Sequence, residues 1–218
     1  MAEKEVIIWG VTAMARLVAP ILEGGGYRVV QLYDDDPHAN SQIAGVPFMQ
    51  DDRAALQRWI QGRARKPHCA VAIGGMRGKA RVEIGQLLLS WGVNAPAIVD
   101  PAAAVAPSAH IGAGCHILRG STVTESAQLG EFVIINIGAV IDHDCQIGAG
   151  THIMPGAVLT GAVRVGRNVA IGANATILPD LEVGDDAVIG AGSVVTENIP
   201  ARAVAYGSPA RVRRMLDG

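Results

Sequence analysis

The chain has 218 residues, a net charge of −2, 50% hydrophobic residues and only 4% aromatic ones, a length that suits one large domain or two modest ones. The near-neutral charge leaves no footprint for nucleic acid or an anionic membrane, no apolar run of 18 residues offers a membrane span, and the opening MAEKEVIIW lacks the basic end and long apolar core of a signal peptide. An odd number of cysteines, 3, fits a reducing, cytoplasmic setting.

Val6 to Trp9 reads as a short strand ending at Gly10. A helical pattern opens at Thr12 and runs through Leu17, Val18, Ile21 and Leu22 until Gly24-Gly25-Gly26 stops it. Tyr27 to Tyr33 reads as a second strand, closed by Asp34-Asp35-Asp36-Pro37, and completes a β-α-β unit. Ile43 to Phe48 is a loop or short strand, Asp51 to Ile60 a helix, Cys69 to Ile73 a third strand and Lys79 to Trp91 a third helix. The alternation predicts a small Rossmann-like α/β domain over residues 1–95. Ligands of such sheets bind beyond the carboxyl ends of the strands, here Gly10 to Arg16, Asp34 to Asp36 and Gly74 to Arg77. A helix N-terminus and Arg16 could take phosphate there, and an acid after the second strand could hold a ribose or base. Gly10 and Asp34 as plain turn residues, with Arg16 merely solvated, is the other reading. The G-x-G-x-x-G fingerprint is absent, which argues against NAD.

Two prolines between Asn94 and Pro101 mark a hinge, and residues 96–218 form a second domain. From Val99 to Pro200 the chain runs in seventeen hexads without insertion, each led by Val, Ile or Leu, from Val99 and Val105 through Ile141 to Val195. A mostly small residue follows four places later, as at Ala103, Cys115, Ala139 and Ala157. Hexads of this kind predict a parallel β-helix of three short strands per coil, hence five coils and two thirds of a sixth. An amphipathic helix would need apolar residues at 3.6 spacing, which a period of six does not supply. Residues eighteen apart then sit on adjacent coils, about 4.8 Å apart. After Pro200 the pattern predicts a turn at Gly207-Ser208-Pro209 and a short basic helix carrying Arg211, Arg213 and Arg214.

Outward positions of such a solenoid are ordinarily plain solvated residues. Asp142-His143-Asp144 differs, because His143 points outward between two acids, with Glu125 one coil below and Gly161 one coil above. A carboxylate beside an imidazole makes it a usable general base, and a glycine leaves room and backbone N–H groups for a reacting carbonyl. A surface histidine is the competing reading. A metal site is disfavoured within one chain: His116 and His152 share a column, but Ile134 intervenes, placing them roughly 9–10 Å apart against a metal–ligand distance of about 2 Å. Cys145 should point inward as core, and Ser126, stacked under Asp144, carries no mark of activation.

The stretch Asn136 to Gly148, NIGAVIDHDCQIG, resembles the signature of hexapeptide-repeat sugar acyltransferases, most closely the group of bacillosamine and perosamine N-acetyltransferases and sialic acid O-acetyltransferases. The likeness spans nearly the whole chain, to the Tyr206-Gly207-Ser208-Pro209-Ala210-Arg211 ending. It implies a left-handed β-helix, a homotrimer, acetyl-CoA in the groove between neighbouring helices, and direct transfer without an acyl-enzyme; the histidine spacing above leaves no metal expected. It implies His143 as general base with Asp144 as its acidic partner, and Asn136 in the same motif. His152 and Gly161 match positions at the thioester end of acetyl-CoA, Ala173 and Ala191 positions along the pantetheine, and Arg211 joins them as a basic contact. In the first domain Arg16 matches the phosphate loop, Asp34 and Asp35 the nucleoside-side acids, and Ile73 and Gly74 the next loop. One departure stands out: Met14 replaces the family's loop histidine, and Ala13 and Ala15 replace glycines, which weakens a pyrophosphate cradle. The acceptor implied is a nucleotide-linked amino sugar, acetylated on nitrogen; O-acetylation of an acceptor without a nucleotide, or a non-enzymatic scaffold, are the alternatives.

Overall fold

A computed structural model describes residues 4–41 and 43–217; the ends of the expected domain ranges, residues 1–3 and 218, lie outside the described residues. The first domain is a parallel sheet of β1 (Lys4–Trp9), β2 (Tyr27–Asp34), β3 (Phe48–Gln50) and β4 (His68–Val71), in the order β3-β2-β1-β4. Three helices connect them: α1 (Ala13–Gly24), α2 (Arg53–Gln61) and α3 (Gly78–Ser90). The apolar spacing of α1 buries Met14, Ala15, Val18, Ala19 and Leu22 on one side of the sheet. Asp52 caps α2 by accepting the Ala55 N–H at 2.7 Å, and Leu56 and Ile60 go under the other side.

The hexads form the expected left-handed solenoid. Val123, Ile141 and Leu159 are in register on adjacent coils and are all buried, as a single inner stack requires. Each coil turns its corners through a left-handed residue. Positive φ recurs at every sixth position from Gly114 to Gly192, with Asn or Asp at Asp144, Asn168, Asn174, Asp180 and Asp186. These residue types tolerate that region, so the fourth place of the hexad is as constrained as the first.

The prism's three faces have different outward chemistry. One carries Ile98, His116, Ile134, His152, Ala170 and Val188 and is covered at its start by the α/β domain. The second carries Ala104, Thr122, Val140, Val158, Thr176 and Val194, with no charge along its length. The third carries His110, Gln128, Gln146, Arg164 and Glu182, an ordinary solvated surface.

The tail corrects the expected basic helix. Ala203–Gly207 pairs parallel with the last strand of the first face, and Ala210–Met215 returns antiparallel beside it. The alternation of Ala203 and Ala205 into the core fits a strand period of two, and edge pairing satisfies the backbone that a helix would otherwise have satisfied internally.

Phe132 and Arg81 are prominent among the residues that join the domains. Phe132, at φ 55°, places its ring where side chains at Gly85 of α3 and Gly114 would stand; a Cβ on either would come within 2.1 and 2.3 Å of it. Arg81 of α3 is fully buried with no carboxylate partner, and its guanidinium donates to the carbonyls of Phe132 (2.7 Å), Ile73 (2.8 Å) and Gly150 (2.5 Å). Burial lowers its pKa only to about 10, so it stays charged at neutral pH. Arg81→Ala strands those carbonyls and is expected to cost on the order of 3 kcal/mol. Denaturant unfolding checks this, and an unchanged midpoint would contradict the role.

Candidate active site

Two groups of side chains stand out. The first is the corner that follows the uncharged face. His143 Nδ1 lies 2.9 Å from Asp144 Oδ2. Asp142 does not touch the ring; its Oδ1 accepts the His143 backbone N–H at 2.8 Å and fixes the turn. Asp144 sits at φ 60°, the left-handed corner position, which lets its carboxylate fold back onto its neighbour. Glu125 makes no hydrogen bond to the ring and acts on it only through its charge, so Asp144 is the orienting carboxylate. The hydrogen bond to Asp144 leads in raising the His143 pKa, followed by the charge of Asp142. Because a carboxylate accepts, neutral His143 carries its proton on Nδ1 and leaves Nε2 free as a base. Gly161, one coil on, lies against that edge: a Cβ there would sit 2.6 Å from both Cε1 and Nε2. Only glycine leaves the imidazole this position.

Cys145 points inward, is buried with its thiol pushed up to about 11, and donates to the Thr160 carbonyl. It is core, as its place in the hexad predicts. Ser126 is exposed, and among the described residues its side chain makes no hydrogen bond to His143 or Asp144.

The second group is a cleft of about 650 Å³ where the α/β domain meets the solenoid, lined by Gly10 to Met14, Asp34, Ile73, Gly74, Arg77, Asn136 and His152 among others. Gly10, at φ 98°, turns where a Cβ would meet the Ala72 carbonyl at 2.8 Å. Asp34 Oδ2 accepts the Val11 N–H at 3.0 Å and so holds the loop against β2. Ala13 and Ala15 lie inside the first turn of α1, where no left-handed conformation is needed, and Met14 turns inward toward Gly74. The replaced loop residues therefore leave the α1 N-terminus open to this cleft.

Asp35 and Arg16, expected with this group, are elsewhere. Asp35 accepts two 2.7 Å bonds from Arg53 and one from the Tyr33 hydroxyl, in a neighbouring cleft that also contains Trp9, Asp34 and Arg77. Arg77, from the expected Gly74 to Arg77 edge, and Arg53, which the sequence reading does not single out, supply the cations there; for Arg53 the available signal is an Arg in the first turn of a helix, opposite an acid that follows a strand. Arg16 points into a third cleft with Leu17, Pro20, Asp100, Arg119 and Ile137.

His152 is buried, with Nδ1 3.1 Å from the Gly75 carbonyl and Nε2 3.0 Å from Asn136 Nδ2. Burial lowers its pKa to about 4. Ile134 separates it from the enclosed His116, and among the described residues no three His, Cys, Asp or Glu side chains converge as metal ligands would. Ala173 and Ala191 stack on adjacent coils at the corner after the domain-covered face, where the Gly192 N–H bonds the Ala173 carbonyl at 2.8 Å. Arg211 lies on the outer hairpin strand, exposed and 3.6 Å from Glu197. Within one chain, His143 and Gly161 on one side and Ala173 and Ala191 on the other occupy opposite edges of the uncharged face.

Residues 5–84 match the PglD N-terminal domain, and residues 126–161 and 162–197 match the bacterial transferase hexapeptide repeats. The chain is similar to PerB from Caulobacter crescentus, solved in complex with CoA and GDP-perosamine, at 32% identity and a TM-score of 0.88, covering 98% of this chain and 99% of that one. It is also similar to the acetyltransferase domain of PglB from Neisseria gonorrhoeae, at 27% identity, a TM-score of 0.85, and 97% and 100% coverage; that domain has been solved with acetyl coenzyme A. WeeI from Acinetobacter baumannii shares the fold at 23% identity and a TM-score of 0.84, covering 96% of this chain and 100% of that one. A comparison with curated proteins gave no significant match. No helix among the described residues is long and apolar enough to cross a membrane.

Proposed function

Since the chain belongs to the hexapeptide-repeat sugar acyltransferases that carry a PglD N-terminal domain, and is thus an acyltransferase rather than an inert scaffold, we propose that it moves acetyl from acetyl-CoA to the amine of a nucleotide-linked amino sugar, with His143 as general base. The observation that carries this reading is the His143–Asp144 pair seated under Gly161.

In this mechanism the neutral amine attacks the thioester carbonyl carbon. The C–N bond forms, the C–S bond breaks, and the amine proton passes to His143 Nε2. Asp144 accepts from Nδ1 throughout and stabilises the imidazolium, which returns the proton to the departing CoA thiolate. The backbone N–H of Gly161, which makes no hydrogen bond within the protein among the described residues, is the donor nearest the base for the developing oxyanion. No acyl-enzyme is required.

The homotrimer belongs to the same proposal, and the character of the faces supports it. The uncharged face with Val140, Val158 and Val194, which also carries Thr122 and Thr176, is the one that neither the α/β domain nor charged side chains cover. In a closed threefold assembly built on it, one edge of each face meets the opposite edge of the next. That brings His143 and Gly161 of one protomer to Ala173 and Ala191 of another. A single groove can then hold an extended acetyl-CoA, with Arg211 near its far end suited to phosphate. The same edge carries Asn136, so the domain cleft of one protomer opens toward the base of the next. The open α1 N-terminus and Arg77 would take the diphosphate there. A cytoplasmic location, with all three cysteines reduced and buried, belongs to this proposal.

The pH profile tests the base. A raised pKa means that His143 is protonated, and useless as a base, until the pH exceeds a value above the ordinary histidine range. Activity should therefore rise with pH through that inflection and fall away below it. Asp144→Asn keeps an acceptor for the Nδ1 proton but removes the carboxylate charge that favours the imidazolium, so the inflection should move to lower pH while kcat at the plateau drops. An inflection that does not move would contradict the pairing.

A further inference from the structure

The resemblance puts His152 beside the thioester of acetyl-CoA, but its contacts point the other way. A carbonyl can only accept, so the Gly75 contact requires a proton on Nδ1. Nε2 is then an acceptor, filled by the Asn136 amide, and Asn136 Oδ1 is itself fixed by the Ile137 N–H at 2.8 Å. Both ring nitrogens are thus committed within the chain, and the side chain is 4% exposed. Gly75, at φ 66°, belongs to the loop after β4 whose Ile73 carbonyl is held by Arg81. The loop is therefore held at two carbonyls, Gly75 by His152 of the solenoid and Ile73 by Arg81 of α3, and Gly74 and Gly75 line the cleft at the α1 N-terminus.

We propose that His152 is a positioning residue for the acceptor: by fixing the Gly75 carbonyl, with its tautomer set by Asn136, it holds the Ile73–Gly75 loop in the shape that receives the nucleotide end of the acceptor. This rests on the nucleotide-sugar reading above. His152 touches no reacting atom. It links the loop of the α/β domain to the corner of the solenoid that carries Asn136, so the acceptor's seat is registered against the catalytic groove.

Two substitutions separate this role from contact with acetyl-CoA. In His152→Asn the amide nitrogen stands near the place of Nδ1 and can still donate to Gly75. In His152→Gln the amide falls near Nε2 and the Gly75 bond is lost. Calorimetric titration with GDP, UDP and dTDP, and separately with acetyl-CoA, reads both ligands without turnover. The expected result is that His152→Gln weakens the nucleotide that the parent protein binds by about tenfold, as loss of one buried hydrogen bond implies. Acetyl-CoA binding should be unchanged, and His152→Asn should stay near the parent for both. The KM for the acceptor should rise with kcat little altered. Weaker acetyl-CoA binding with nucleotide binding intact would overturn the proposal. If the parent protein binds none of the three nucleotides, the nucleotide reading fails on its own. Hydrogen exchange at the Gly74–Arg77 amides then decides the loop's tether: faster exchange in His152→Gln and not in His152→Asn supports it, and equal exchange in all three proteins overturns it.

Discussion

His143→Ala is expected to lower kcat by about 10²–10⁴-fold, the usual worth of a general base, while acetyl-CoA still binds. The ring is exposed and contributes nothing to the core, so the variant should fold and assemble as the parent does. Among the described residues its only side-chain hydrogen bond is to Asp144, also exposed, and that pair is too well solvated to matter for stability. Loss of activity with an unchanged melting temperature therefore isolates chemistry from folding. Stopped assays with saturating acetyl-CoA and acceptor measure it, and a variant with full kcat would remove His143 from the mechanism.

Gly161→Ala is the complementary test, because it moves the base without removing it. The added Cβ would stand 2.6 Å from Cε1 and Nε2 of His143, inside any permissible contact. The far end of an exposed side chain yields easily, so the imidazole should swing aside and the coil should persist. A displacement of about 1 Å at a catalytic group can cost about 10²-fold. The expected outcome is a fall in kcat of that order, with a melting temperature close to the parent's, because the nearest atoms the added Cβ meets all belong to the exposed His143 ring. Wild-type kcat in this variant would mean that the ring does not work from the position it occupies here.

The sequence carried the solenoid plainly, because its inner stack needs one large aliphatic residue per hexad and nothing else in the chain has a period of six. It also carried the corner at His143, since a ladder of eighteen places Glu125 and Gly161 on either side of it by arithmetic. The ladder could not say which acid bends back onto the ring. That depends on the left-handed backbone of Asp144, a signal at the fourth place that runs through many of the hexads as Gly, Asn or Asp. The tail was misread because Arg211, Arg213 and Arg214 suggested a helical stripe, whereas Ala203 and Ala205 already showed the period of a strand. Contacts across the domain boundary left the least trace. Arg81 reads as a surface residue until Phe132 and Gly150 are folded over it, and the pairing of His152 with Gly75 joins positions with no pattern in common. Arg16 sits one turn along α1 from the cleft, so a loop motif matched by spacing placed it on the wrong side of the helix.

The most direct test of the central claim is CoA release measured with acetyl-CoA and a panel of GDP-, UDP- and dTDP-linked amino sugars beside the corresponding free amino sugars and hydroxyl-only sugars. The account predicts turnover of at least one nucleotide-linked amino sugar, N-acetylated product, and a higher acceptor KM with an unchanged acetyl-CoA KM in Asp34→Ala, whose carboxylate holds the Val11 amide at the mouth of the cleft. Turnover confined to free sugars or hydroxyl acceptors, indifferent to Asp34→Ala, would contradict it.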